Sequence, residues 1–239
     1  MQENRIVKID GFEVPVLISD EKEALLAAKA AGRALIGLWR PGEPMESLAG
    51  ARYVIQDAED ATEEYVERIA RRHLGLPWKI CETERLLIRE MTPADFTLIC
   101  ENKIGPGLET FEELQSYVKH QYDFYEFGFW ALVEKKGAEL IGAAGLLVPE
   151  DRCCEDSEPD DMVVLRKEAN RESGEILELG YHIFPSYRRH GFAKEACEAI
   201  MEYGWEYLGI ENYAVRIHKN NTASLRLAEQ LGFVARKYI

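Results

Sequence analysis

No apolar run in the 239-residue sequence approaches the ~20 residues that a membrane-spanning helix requires. The first residues, MQENRIVKID, are polar and charged from the start and lack the apolar core of a secretory leader, so a cytoplasmic protein is expected. Cysteine is scarce. Five residues, an odd number without a secretory context, read as reduced thiols rather than a disulfide framework. Cys153 and Cys154 form the one close pair; adjacency strains a mutual bond and no histidine lies near, so no metal site is expected. Positive charge is also in short supply, with 29 Lys and Arg against 43 Asp and Glu and a net charge of −14. That balance argues against nucleic acid or an anionic membrane as the partner and favours a cationic small molecule or basic peptide. A Gly-x-Gly-x-x-Gly turn, a Gly-Lys-Ser/Thr loop and internal repeats are all missing, which excludes the dinucleotide fingerprint and the P-loop.

What is present suits a soluble chain with a real core: 46% of residues are hydrophobic and 30% charged. The length suggests one large domain or two small ones. Residues 1–80 read as a small α/β unit. VPVLIS (Val14–Ser19), ALIGLW (Ala34–Trp39) and ARYVIQ are apolar strand patterns. Between the first two lies a helix with Asp20 as its N-cap, Glu23 three residues on and Gly32 as its stop. After the third, DAEDATEEYVERIARRHLG predicts a helix burying Tyr65, Ile69 and Leu74, and Leu76–Trp78 reads as a junction.

From Cys81 the texture changes, and residues 81–239 read as a second domain. ERLLIRE is a strand, and Thr92, Pro93 and Asp95 open a helix. Thr110 and Glu113 form a capping box before another. GFWALVE and ELIGAAGLLV, separated by KKGA, predict a hairpin. Pro149 to Glu175 is acid-rich and reads as a surface insertion in which Met162–Leu165 extends a strand. ILELGYHIF (Ile176–Phe184) then runs into YRRHGFAKEA, where a helix burying Ala193, Ala196, Cys197, Ile200, Met201, Gly204 and Leu208 begins after Gly191. NYAVRIH is the next strand, and the last helix is capped by Asn221 and closed by Gly232.

The glycine at the start of that helix has a chemical reading. A strand, a turn and a glycine leave the first amides of a helix unpaired beside the positive end of its dipole, which makes an anion cradle. Gly191 lacks a Cβ, so a phosphate can approach the backbone of Gly191, Phe192 and Ala193. Arg188, Arg189 and His190 add charge at the rim, and a pyrophosphate is the natural guest.

These residues carry a resemblance. Arg188, Gly191 and Ala193 in the pattern R-x-x-G-x-A resemble the acyl-CoA pyrophosphate loop of the GNAT N-acetyltransferases. ETERLLIREMTPADF (Glu82–Phe96), LELGYHIFP and NNTASLRLAEQLGF agree in order and spacing, and together look like the branch of ribosomal-protein N-terminal-alanine acetyltransferases. The resemblance covers residues 81–239. It implies an α/β fold: a mixed central sheet flanked by helices, preceded here by the small α/β domain, whose role is unknown and for which an interaction or dimerisation role is expected. It implies acetyl-CoA as co-substrate, lying in a V between LELGYHIF and NYAVRIH, with backbone groups of Tyr181, His182 and Ile183 bonding its pantetheine arm. Asn221 would touch the CoA arm or cap its helix.

Acetyl transfer to an amine needs a base, because most amines arrive protonated. Strand alternation puts Glu178, Gly180 and His182 on one face, opposite Leu177, Leu179 and Tyr181. Glu178 is the candidate base, with His182 as the alternative. Many family members protonate the departing thiolate with a tyrosine seven residues after the asparagine; here that position is Ala228, so Ser224 becomes the nearest hydroxyl. The amine, a peptide N-terminus or small molecule, is expected to enter between residues 102–125 and 149–175, past Glu109, Glu112, Glu113, Glu155, Glu158 and Asp160. The family's final strand, which follows the Gly-Phe strand, is not visible. The sheet is therefore expected to be completed by another subunit, giving a homodimer, or by the N-terminal unit, or to stay one strand short. An acyl-CoA-binding regulatory or degenerate protein without catalysis remains the alternative reading.

Overall fold

The computed structural model describes residues 1–42, 44, 48, 50–105, 107–149, 161–169 and 175–235. The chain divides into two compact units, Met1–Trp78 and Lys79–Ile239.

In the first unit, β1 (Gln2–Ile9) and β2 (Phe12–Ser19) form an antiparallel hairpin. It turns at Asp10 and Gly11, whose φ values of 48° and 86° are both left-handed, as a two-residue type I′ turn requires. α1 (Lys22–Ala30) carries the chain from β2 to β3 (Ala34–Leu38), and β4 (Tyr53–Ile55) follows; β2, β3 and β4 pair in parallel in that order. A 3-10 turn (Ala58–Asp60) and α2 (Glu63–His73) end the unit. One face of the sheet buries Val16, Ile18 and Ile36 with Val66, Ile69 and Ala70 of α2; the other buries Leu17 and Leu35 with Leu25 and Ala28 of α1.

Three local expectations change here. β1 was not expected, because its residues are mostly polar and Ile6 is exposed. Asp20 does not cap α1. Its carboxylate is taken by the N-terminal amine and Arg40, and the N-cap is Glu21, with no side-chain bond. Leu74 sits beyond the last turn of α2 and is 46% exposed, so the buried stripe runs through Val66, Ile69 and Ala70.

Among the described residues, the second unit is built on one mixed sheet of eight strands. In chain order they are β5 (Lys79–Glu82), β6 (Leu86–Arg89), β7 (Phe129–Glu134), β8 (Glu139–Leu147), β9 (Met162–Glu168), β10 (Ile176–Ile183), β11 (Asn212–His218) and β12 (Val234–Ala235). Across the sheet the order is β12-β9-β11-β10-β8-β7-β6-β5. The helices α3 (Phe96–Glu101), α4 (Phe111–Tyr125), α5 (Phe192–Leu208) and α6 (Thr222–Gln230) accompany it. This is the mixed sheet flanked by helices that the resemblance implied.

Local chemistry fixes the helices. Thr110 and Glu113 exchange cap bonds of 3.2 and 2.8 Å at the start of α4. The Asp95 carboxylate accepts from the Thr92 amide at 2.7 Å and takes a two-pronged pair from Arg89, both bonds at 2.8 Å. Two tyrosines pin α4 to β7: the Phe129 amide donates to Tyr117 at 2.6 Å, and the Met91 amide donates to Tyr122, whose hydroxyl donates to the Phe129 carbonyl. Across the sheet, Tyr213 of β11 donates to the Met201 and Ile210 carbonyls, both at 2.9 Å, tying α5 down. Within α5, Ala193 and Leu208 are only half-buried, while Phe192 and Tyr203 join the expected core residues.

The stretch expected to be a surface insertion supplies an internal strand. β9 lies between β11 and β12, antiparallel to both, with Val215 opposite Leu165 and Val234 opposite Arg166. Neither a second copy nor the N-terminal unit is needed at that position. β5 was not expected either; it follows directly on the Leu76–Trp78 junction and forms the opposite edge of the sheet. Cys153 and Cys154 lie outside the described residues. Of the free cysteines described, Cys197 is buried, which pushes its thiol up to about 12, and Cys81 is pushed up to about 11.

Candidate active site

The site begins where a parallel pairing stops. β10 and β11 are in register at Ile176 with Asn212, Leu177 with Tyr213 and Glu178 with Ala214, and no further. Their outer edges stay paired well beyond that point: β10 follows β8 as far as Ile183 opposite Gly142, and β11 follows β9 as far as His218 opposite Met162. The inner edges therefore part while the sheet on either side holds. Backbone groups of β10 after Glu178 that face β11 are left without a strand partner, which is the condition under which an extended ligand adds as a strand. A narrow cavity of about 140 Å³ lies in the opening, lined by Leu179, Gly180 and Tyr181 of β10 and by Val215, Arg216, Ile217 and His218 of β11. Sharing Tyr181, Asn221 and Ser224 with it, a cavity of about 770 Å³ is lined by Tyr181, His182 and Ile183 and by residues of the next loop and of α6.

That loop runs from a 3-10 turn (Pro185–Tyr187) into α5. Arg189 and Gly191 have φ values of 64° and 84°, both left-handed. At Gly191 any other residue would be strained. Gly191 is the N-cap of α5 and offers no side chain to its first turn, so those amides remain open to a ligand. Arg188, Arg189, Gly191, Phe192 and Ala193 line the cavity, and so does Lys194, a cation that the sequence pattern did not single out. Arg188 also braces the loop, since its Nε donates to the Ile183 carbonyl at 2.8 Å and closes the end of β10. The carbonyl of His190 turns to the Arg85 guanidinium at 2.9 Å. These residues fit a pyrophosphate: positive charge and unclaimed amides, presented by a left-handed turn that glycine adopts without strain.

Glu178, Gly180 and His182 share a face, as expected from alternation. The Phe129 ring lies where a Cβ on Gly180 would go, at 2.6 Å. Arg216 of β11 pairs with Glu178 at 3.4 Å across the point of divergence, and both side chains are mostly buried. His182 has its Nε2 buried with no hydrogen-bond partner among the described residues. Burial first, then the charge of Arg188, hold its pKa below 6.5, so the ring is neutral at neutral pH.

On the opposite face the Tyr181 hydroxyl is buried, without a hydrogen bond of good geometry. Burial raises its pKa, and the neighbouring Ser224 hydroxyl opposes the shift. Asn221 caps α6 by accepting from the Ser224 amide at 3.2 Å, and both residues line the cavity. Ala228 is 3% exposed, packed into the core rather than facing the opening.

Only part of the expected acidic mouth falls on described residues. Glu109 accepts from the Gly107 amide at 2.9 Å, and Glu113 is consumed by the cap of α4, so neither is simply a free charge. Glu155, Glu158 and Asp160 lie outside the described residues. Sequence reasoning also missed the Glu178–Arg216 pair and the contact of Arg85 with the loop; each joins residues far apart in the chain, and no local pattern announces it. Among the described residues no three His, Cys, Asp or Glu side chains gather to hold a metal ion, and no helix is long and apolar enough to cross a membrane.

Comparison with known proteins bears on this geometry. Residues 85–234 match the family model of the GNAT acetyltransferase domain. The uncharacterised N-acetyltransferase YoaA of Bacillus subtilis is 26% identical over 176 residues, 67% of this chain and 88% of its own. The uncharacterised N-acetyltransferase p20 of Bacillus licheniformis is 22% identical over 63% of this chain and 80% of its own. Among solved structures, one from Bordetella pertussis assigned to the GNAT acetyltransferases superposes with a TM-score of 0.50 at 20% identity, covering 66% of this chain and 90% of the other.

Proposed function

Since the chain belongs to the GNAT acetyltransferase family, we propose that it moves an acetyl group from acetyl-CoA to a primary amine by direct attack in a ternary complex. The observation that carries this reading is the early end of the β10–β11 pairing, at Glu178 and Ala214, above an open helix N-terminus. Acetyl-CoA, when bound, supplies the acetyl group as a thioester. Backbone groups of Tyr181, His182 and Ile183 hold the pantetheine arm and polarise the thioester carbonyl. The amides of Gly191, Phe192 and Ala193, with Arg188, Arg189 and His190 around them, hold the pyrophosphate, and Asn221 meets the CoA arm while capping α6.

Glu178 takes the proton of the attacking amine, directly or through water. Arg216, 3.4 Å away, aims the carboxylate. Ser224, with the Tyr181 hydroxyl beside it, donates to the departing thiolate. One observation favours a second base: His182 is neutral and its Nε2 has no partner among the described residues. The acceptor is a small cationic amine or a peptide N-terminus, a reading supported by the net charge of −14, and the cytoplasm is the compartment we infer for the reaction.

Calorimetry with acetyl-CoA on the wild-type protein, followed by a thiol-release assay over a panel of cationic amines and peptides, tests the reading. One-to-one binding and CoA release with at least one amine are expected. Absence of binding overturns it. Binding without turnover across the panel favours an acyl-CoA-binding regulatory protein.

A further inference from the structure

The stretch ETERLLIRE has no role in the chemistry above, yet its first arginine reaches the anion loop. Arg85 stands in the turn between β5 and β6. Its Nε donates to the Glu195 carboxylate at 2.7 Å and its Nη1 to the His190 carbonyl at 2.9 Å. The guanidinium lies over the Phe192 ring, 4.5 Å from its centroid. The turn itself is braced: Thr83 donates to Glu195, the Arg85 amide donates to the same carboxylate at 3.1 Å, and the Leu86 amide donates to the Thr83 hydroxyl at 2.9 Å.

We propose that Arg85 is the positioning residue of the pyrophosphate loop, turning the His190–Gly191 peptide and holding Glu195 away from the anion. The inference deepens the acetyl-CoA reading and rests on it. In a trans peptide the C=O and the following N–H point in opposite directions. With the His190 carbonyl directed at Arg85, the Gly191 amide is directed away from it. A Cβ on Gly191 would stand 3.3 Å from Nη2, so the guanidinium sits behind the glycine, and Gly191 lines the cavity.

The second part of the role is electrostatic. Glu195 is in the first turn of α5, where its negative charge competes with any phosphate for the same amides. Burial of the carboxyl is outweighed by bonds from Thr83 and Arg85, so it stays ionised and needs a fixed counter-ion. Arg85 supplies one and spends its charge there, which makes its contribution to the ligand one of geometry. Lysine, a point charge without the fork, cannot serve Glu195 and His190 together.

The test compares two ligands on the full chain: acetyl-CoA, and S-acetylpantetheine, which lacks the pyrophosphate. Arg85→Ala is expected to weaken acetyl-CoA at least tenfold and leave S-acetylpantetheine within twofold, by calorimetry and competition. Arg85→Lys, which keeps charge and stem, is expected to show the same selective loss. Adding Glu195→Ala to Arg85→Ala is expected to recover part of the affinity, because the freed carboxylate is gone. Equal losses for both ligands, or no loss for either, overturn the proposal, as does a double variant no better than Arg85→Ala. Failure of the wild type to bind acetyl-CoA is a different result, and overturns the reading beneath it.

Discussion

Both units contain parallel strands, and in the second the pairing stops early and leaves an opening. In the first unit β2 and β3 stay in register from Val16 with Ala34 to Ser19 with Gly37, and β3 continues with β4 to Leu38 opposite Ile55, the last residue of both strands. In the second unit β10 and β11 give up their register at Glu178 and Ala214, although β10 runs on to Ile183 and β11 to His218. A completed parallel pair consumes its own backbone groups and offers a ligand nothing. An interrupted pair, held open by neighbours that remain paired, offers two strand edges and the helix that follows. The site is thus a local failure of pairing inside a sheet that is otherwise complete.

The largest break of this contrast removes the frame around the opening. A Cβ at Gly145 of β8 would lie 1.9 Å from the Gly128 carbonyl, so Gly145→Ala is expected to cost more than about 3 kcal/mol. In peptide-resolved hydrogen exchange, β7 and β8 should lose protection while β3 keeps it.

Asp95→Ala strands the Arg89 guanidinium, whose side chain is 19% exposed, and is expected to cost about 3 kcal/mol in urea unfolding. The same pair sets an acid limit. Burial of Asp95 is outweighed by Arg89 and Thr92, which hold its carboxyl below 3.8. Its contribution is full above 3.8 and is lost as pH falls through the lower folded value, so the variant's stability should be flatter with pH in that window.

Glu178→Gln is expected to lower kcat about a hundredfold, the scale of a lost general base, with acetyl-CoA affinity unchanged. If His182→Asn shows that loss instead, the base is the histidine. The smallest effects sharpen the comparison. Thr62→Ala on α2 and Asn221→Ala on α6 remove caps of similar geometry, at 3.2 Å each, and should each cost about 1 kcal/mol in thermal unfolding. Only Asn221→Ala should also weaken acetyl-CoA, by about threefold, the size of one modest hydrogen bond.

What the sequence made legible was local. Caps at Thr110 and Asn221, the stops at Gly32 and Gly232, and the glycine of the anion loop each depend on residues a few positions apart. The Asp10-Gly11 turn is a signal of the same class that was not read, because the polar face of β1 concealed the strand before it. Pairings across long separations were not legible. Glu178 meets Arg216, and Arg85 meets Glu195 from 110 residues away, because sheet order brings them together. β9 was half legible: Met162–Leu165 read as strand, but only its neighbours say that it runs to Glu168 and lies inside the sheet.

That placement of β9 bears on how the second unit is assembled as the chain is made. In the plan implied by the resemblance, the last strand closes the sheet, so one wall of the opening waits for the end of the chain. Here every partner of β11 precedes it: β10 on one edge and β9 on the other. β11 can therefore pair on both edges without α6 or β12. The V is framed by strands that all precede His218. A chain truncated after His218 should already protect the amides of β9, and the two residues of β12 are left only to cover the outer edge of a wall that stands without them.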